Sequence, residues 1–368
     1  MFAGRSAMKK IIALSLMAVL MLAGLTGCDS QSPSQGSAAG GQEITVVFVP
    51  KVTGNAFFEA ANVGAQDYAT KHGFKVDYRG NPEASVENQI AIIKEAIAQK
   101  VPALSVSSLD ATALDAVLKE AMAAGIKVTT WDSDVSGNAR SIMVSQGTPD
   151  QLGRMLVEMG AKSLIARGKN PTRDAIRYAW HYSQASVTDQ NSWRVAGEEY
   201  IRATYPMWVN VAPDNFYSDQ DPEKAVSVGR AILEDNPGLD LIICNDSTAL
   251  PGQAQAAQEL GLTAREVTIT GFASPNAVRQ YCKDGIVERW GLWDCQIQGA
   301  LGCYMAFYLA SGNPVAVGDR INVPDIGIVE VMPNTVLDPT AFTAKNSGVV
   351  LLPERTEFTR DNVDNYNF

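Results

Sequence analysis

What most limits the folds open to this chain is an alternation. Short apolar runs rich in β-branched residues are separated by longer stretches of helical spacing, and the pattern runs through the chain twice. Residues 44–50 (ITVVFVP) read as a buried strand, 55–72 as a helix and 75–78 as a second strand. In 85–99, Val86, Ile90, Ile93 and Ile97 recur at the spacing that puts them on one helical face. Strands follow at 103–106 and 127–131, with a shorter one at 141–144. Leu114, Val117, Leu118 and Met122 form a helical stripe between the first two, stopped by Gly125. The second round has helices at 149–166, 191–205, 222–234 and 249–260, and strands at 174–182, 209–212, 239–244 and 267–270. Such alternation builds parallel sheets covered on both faces.

The expected class is therefore α/β, with two doubly wound parallel-sheet lobes, a hinge and a cleft between them. The last part of the chain is less regular. Strands at 286–290 and 326–331 flank a helix at 294–311, and these read as connections crossing back between lobes. The expected first lobe is 43–147 plus about 273–322, and the second 148–272 plus about 323–368.

The first 42 residues lie outside this pattern. Lys9 and Lys10 precede an apolar run at 11–23, which ends at Leu25-Thr26-Gly27-Cys28. A basic start, a short apolar stretch and small residues at a cleavage site describe an export signal. The apolar run is well short of the roughly 20 residues needed to span a bilayer. The cysteine after Leu-Thr-Gly is read as a lipobox, so residues 1–28 are a lipoprotein signal and Cys28 is the lipidation site. Residues 29–42 (DSQSPSQGSAAGGQ) are polar and rich in Gly and Ser, which suits a flexible tether. The expected location is the outer face of the cell membrane, held there by lipid alone.

Charge narrows the partners. The 30 basic residues less Arg5, Lys9 and Lys10 leave 27 beyond the signal, against 40 acidic ones, a net charge of −13. That argues against nucleic acid and anionic lipid surfaces. Four cysteines remain after Cys28, namely Cys244, Cys282, Cys295 and Cys303, none at CxxC spacing. Buried thiols are the simpler reading, although export permits disulfides.

No catalytic constellation is present. The chain has two histidines, His72 at a helix end and His181 inside an apolar strand, and neither sits in a metal-ligand spacing. There is no GxSxG elbow, Walker loop or GxGxxG after a strand. Neither an enzyme nor a cofactor or metal is expected.

Polar residues instead gather where strands end, which is where open α/β sheets bind ligands. Lys51 follows the first strand and Asp132 the fourth. Asp189 and Gln190 lie in a loop after 174–182, and Asn245-Asp246-Ser247 follows 239–244. Carboxylates accept from adjacent hydroxyls, Gln both donates and accepts, and Lys donates, so the set suits a small polyol or sugar. Phe57, Phe58, Trp131 and Trp293 are candidates to cover an apolar sugar face, with core packing the alternative for both tryptophans. Asp246 also reads as a cap for the helix near Ala249.

These residues carry a family resemblance that extends over the whole chain from about Ile44 onward. The chain resembles the sugar-type periplasmic binding proteins, the ligand receptors of ABC importers, and among them the autoinducer-2 receptors of the Lsr system. The segments that carry the resemblance are Val49-Pro50-Lys51, Thr130-Trp131-Asp132-Ser133-Asp134, Gln146-Gly147-Thr148-Pro149, Val187-Thr188-Asp189-Gln190-Asn191, Ala249-Leu250-Pro251, Gly291-Leu292-Trp293-Asp294 and Val350-Leu351-Leu352-Pro353-Glu354-Arg355. The resemblance implies a monomeric receptor that closes two lobes on a small cyclic tetrahydroxyfuran, a quorum-sensing signal, and delivers it to an ABC permease. The family's lysine, first aspartate and aspartate–glutamine pair fall on Lys51, Asp132, Asp189 and Gln190. Its Pro-Asp-Ala segment reads Asn245-Asp246-Ser247 here, which replaces two residues by side chains that hydrogen-bond. A rhamnose- or pentose-type sugar is the alternative ligand. Presentation of ligand to a chemoreceptor or kinase is the alternative role.

Overall fold

The computed structural model describes residues 43–213 and 216–368. The expected signal, the tether and Cys28 lie outside the described residues.

The first round of alternation yields β1 (Thr45–Val49), α1 (Ala56–His72), β2 (Lys75–Tyr78), α2 (Val86–Gln99), β3 (Ala103–Val106), α3 (Asp115–Ala123), β4 (Lys127–Trp131) and β5 (Ile142–Ser145). Asn55 and Ser85 cap α1 and α2 through their side chains. Gly73, at φ +76°, ends α1 in the left-handed region that a glycine adopts without strain. The five strands are mutually parallel, in the order β5-β4-β3-β1-β2. Strands β3 and β5 are buried along their whole length, as a sheet covered on both faces requires.

The second round begins with α4 (Pro149–Ala166), whose start is fixed by a capping box of Thr148 and Gln151. It continues through β6 (Ile176–Tyr182), α5 (Thr188–Thr204), β7 (Trp208–Asn210), β8 (Phe216–Tyr217), α6 (Pro222–Asp235), β9 (Leu241–Cys244), α7 (Ala249–Glu259) and β10 (Thr268–Gly271). These strands form a second parallel sheet, β10-β9-β6-β7, with β8 also on β6. Two doubly wound lobes result.

The remainder is α8 (Pro275–Lys283), β11 (Arg289–Leu292), α9 (Cys295–Ala310), β12 (Arg320–Val323), β13 (Gly327–Glu330), β14 (Met332–Pro333), β15 (Gly348–Leu351) and β16 (Thr356–Thr359). It departs from the expected lobe limits. Helix α8 packs on α7, and β11 packs against β10 and pairs with β16, so residues 275–292 belong with the second sheet. Strand β15 pairs in parallel with β5 and carries β14, so this part of 323–368 extends the first sheet. The cause is the free edge of β5, whose unpaired backbone groups β15 satisfies. Among the described residues the chain therefore crosses between lobes three times, after β5, β11 and β15.

The apolar helix α9 packs on α1, β3, β4 and β5 of the first lobe. Among the described residues no helix is long and apolar enough to cross a membrane. Cys244, Cys282, Cys295 and Cys303 are all buried free thiols, as the simpler reading had it. His181 is fully buried with Nδ1 3.1 Å from Gln253 Oε1, and burial pushes its pKa down to about 4. His72 is mostly covered, lying 2.9 Å from Asp325 and against Tyr68.

Candidate functional site

The strand ends of both lobes converge on one enclosed pocket in the cleft. Lys51, Asp132, Gln190, Asn245 and Ser247 line it, together with Phe57, Phe58 and Trp293. Contacts across the cleft seal it. Ser247 Oγ donates to Asn55 Oδ1 (3.3 Å), Asn55 Nδ2 to Thr248 Oγ1 (3.2 Å) and Ser186 Oγ to Leu109 O (3.0 Å). Lys51, Asp132, Asn245 and Asp246 are each less than 5% exposed, so the structure is the closed form.

Strand geometry aims the groups. Asp132 leaves the end of β4 at φ +58°, in a tight turn where Ser133 N donates to Trp131 O (2.6 Å). A left-handed aspartate is uncommon and persists where its surroundings fix it. Here Lys51 Nζ lies 3.0 Å from Asp132 Oδ2, and Ser107 Oγ donates to the same oxygen (2.6 Å). Asn245 Nδ2 donates to Gln190 O (2.9 Å), which ties two strand-end segments of the second lobe together.

Three carboxylates, Asp132, Asp189 and Asp246, face the one ammonium of Lys51. Burial pulls the Lys51 pKa down, but the surrounding aspartates outweigh it and the net shift is upward. Burial raises Asp189 to about 6 against the attraction of Lys51. Burial also raises Asp246 to about 6, opposed by the Ala249 and Thr248 amides and by Lys51. Asp246 Oδ1 accepts from Ala249 N (2.7 Å), so it does cap α7, but it lines the pocket as well.

Several expected residues stand elsewhere. Asp189 and Gln190 are not in a loop, because α5 starts at Thr188 and places both in its first turn. Asp189 lies beside the pocket rather than among its lining residues. Its Oδ1 accepts from Ser133 Oγ (2.6 Å) and its Oδ2 from Gln146 Nε2 (3.1 Å). Trp131 is fully buried and stacks on Phe48 with ring centroids 4.4 Å apart, so it supports the floor and does not line it. Trp293 does line it, edge-on to Phe57, with Nε1 donating to Gln298 Oε1 (2.5 Å).

The structure adds Gln220, Trp193 and Phe272 to the lining. Gln220 follows β8 at φ +59°, but a two-residue strand leaves no periodic trace in sequence. Trp193 was within reach of sequence reasoning, since it lies one helical turn after Gln190.

Three polar atoms of the lining have no partner: Gln190 Oε1, Gln220 Nε2 and Asn245 Oδ1. Leaving such atoms buried and unpaired costs about 1–3 kcal/mol each. Two acceptors, a donor and the Lys51–Asp132 pair beside aromatic rings match the hydrogen-bonding pattern of a small neutral polyhydroxy compound.

Two doubly wound lobes closed over a polar cleft define a bilobal ligand receptor. The chain belongs to the periplasmic binding protein family: residues 46–314 match the family described as a periplasmic binding protein domain. Members of this family bind substrates outside the cytoplasm.

Among solved structures the chain is similar to "LsrB from Clostridium saccharobutylicum in complex with AI-2". The two share 63% identity with a TM-score of 0.87, over 88% of this chain and 100% of that one. It also has the fold of an ABC transporter solute-binding protein from Clostridium phytofermentas with bound L-rhamnose, at 22% identity and a TM-score of 0.78, over 88% of this chain and 98% of that one. The D-ribose/D-allose-binding protein of Pseudomonas aeruginosa is 26% identical over 316 residues, 83% of this chain and 94% of that protein.

Proposed function

We propose that this protein is the lipid-anchored receptor of an ABC importer, exported to the outer face of the cell membrane, and that it captures autoinducer-2 as a cyclic tetrahydroxyfuran. The observation that carries the reading is the sealed pocket with Gln190 Oε1, Gln220 Nε2 and Asn245 Oδ1 unpaired. A compact polyol supplies both donors and acceptors to such atoms. The high identity to the LsrB–AI-2 structure favours autoinducer-2 over a hexose or pentose.

Lys51 donates to ring or hydroxyl oxygens, and Asp132 accepts from vicinal hydroxyls. Gln190, Gln220, Asn245 and Ser247 complete the polar shell, and Phe57, Phe58 and Trp293 cover the carbon skeleton. Asp189 joins from the edge, since each carboxylate oxygen accepts more than one hydrogen bond. The mechanism is capture without chemistry: the ligand bridges the open lobes, closure excludes water, and the closed monomer docks on a permease. Cys28 carries the diacylglycerol.

Release of bound ligand tests the reading. Residues 43–368 form one compact unit and are produced in a host that makes autoinducer-2 and in one that does not. Each preparation is denatured and the supernatant applied to an autoinducer-2 reporter strain. Signal from the producing host alone is the expected result. Folded protein with no signal from either host overturns the assignment and turns the search to rhamnose and pentoses.

A further inference from the structure

Asp189 is held by a residue that the capture reading does not use. Gln146 is fully buried in the segment after β5, the first of the three crossings between lobes. Its Nε2 donates to Asp132 O of the first lobe (3.0 Å) and to Asp189 Oδ2 of the second (3.1 Å). Its Oε1 accepts from Gln298 Nε2 (2.9 Å) on α9. Gln298 in turn accepts from Trp293, the pocket wall in the second crossing. The main-chain carbonyl of Gln146 accepts from Arg355 Nε (2.6 Å) in the third. A single residue thus connects all three crossings to the turn of Asp132 and to the carboxylate of Asp189.

We propose that Gln146 is the closure latch, a positioning residue whose amide joins Asp132 and Asp189 when the lobes meet and so sets how long ligand stays bound. The proposal rests on the capture reading above. Its geometry is restrictive. The two acceptors belong to different lobes, and a hydrogen bond is lost beyond about 3.5 Å. One amide group at 3.0 and 3.1 Å from both cannot keep both bonds once the lobes part by more than a fraction of an ångström. Ser133 Oγ supplies a second side-chain donor to the same carboxylate, also from the first lobe. The latch is therefore absent from the open form that meets the ligand and present in the closed form that retains it. Its loss shows in dissociation and spares association.

The test is stopped-flow tryptophan fluorescence on the full-length chain with synthetic autoinducer-2. Gln146→Met keeps the volume but removes both donations. We expect dissociation faster by about tenfold or more, with association within about twofold of the parent. Ser133→Ala gives the same split. The double variant loses less than the product of the two singles, because both act on one carboxylate.

A Gln146→Met protein with the parent's dissociation rate overturns the latch. So does one whose only change is a lower melting temperature, or one whose effect simply multiplies with that of Ser133→Ala. Should Gln146→Met fail to fold, Gln146→Asn, too short to reach both acceptors, carries the same expectation. A parent that binds no autoinducer-2 sinks the capture reading together with the latch, whereas a binding parent with unchanged variants sinks the latch alone.

Discussion

Lys51 Nζ and Asp132 Oδ2 lie 3.0 Å apart, with neither side chain more than 6% exposed. A pair buried this deeply contributes little net stability, but removing one partner strands a charge at a cost of about 3–5 kcal/mol. In the open form Asp132 regains water, so the penalty falls on closure. Lys51→Met is therefore expected to weaken ligand binding about a hundredfold or more while leaving the ligand-free melting temperature nearly unchanged. Calorimetric titration beside a thermal scan separates the two effects, and parent-like affinity would show that Lys51 is not part of the closed site.

The two carboxylates differ in what surrounds them, yet both should matter. Asp132→Ala removes one of the three carboxylates that face Lys51 and leaves its ammonium to Asp189 and Asp246, and Asp189→Ala removes the acceptor for Ser133 and Gln146. Each is expected to cost about 1.5–3 kcal/mol of binding, tenfold to more than a hundredfold in Kd. Two alanine variants that titrate like the parent would remove both residues from the site.

How much of this was legible in the sequence follows from what periodicity records. Long apolar stripes such as Val86, Ile90, Ile93 and Ile97 specify a helix face, and α2 lies within a residue of its expected limits. Lys51 and Asp132 were legible because each lies within two residues of the end of a five-residue, mostly buried strand. Gln220 was not, because β8 owes its existence to pairing with β6, a long-range contact that no local pattern encodes. The placement of β15 beside β5 failed to show for the same reason. Helix α5 begins three residues before its expected start because Thr188, Asp189 and Gln190 are polar, and polar residues in a first helical turn look like loop.

Burial gives the protein opposing pH responses. Asp189 and Asp246 hold their protons up to about pH 6 in the folded chain, above the ordinary 3.8 of an unfolded aspartate. Stability from this source therefore falls as pH rises from about 4 to 6. His181, with a folded pKa of about 4 against an ordinary 6.5, acts the other way, and its contribution is lost as pH drops through that range. Compared with the parent, His181→Gln should gain about 3 kcal/mol on acidification from pH 7 to 4. Asp246→Asn keeps an oxygen to cap Ala249 and should gain a similar amount at pH 7, an advantage that fades toward pH 4. Urea unfolding at three pH values checks both, and stability curves parallel to the parent's would refute them.

The closeness of α1 and α9 makes a last prediction about the platform under the site. A Cβ on Gly299 would stand 2.0 Å from Ala61 O, and one on Gly64 would stand 2.2 Å from Gln296 O, so each helix presses its backbone against the other. The obstacle is main chain at both points and cannot rotate away. Gly299→Ala must push α9 off α1, at a cost of about 1–3 kcal/mol or more, roughly 2–4 °C of melting temperature per kcal/mol. Gly125→Ala meets no atom within 4 Å and is disfavoured only by its φ of +90°, so it should cost less. The two also differ in reach. Gln298 precedes Gly299 and holds both Trp293 and Gln146, so displacement of α9 should weaken ligand binding as well as stability, whereas Gly125→Ala should affect stability alone. Melting curves with and without ligand distinguish them, and equal ligand-induced shifts in the two variants would show that the α1–α9 contact does not support the site.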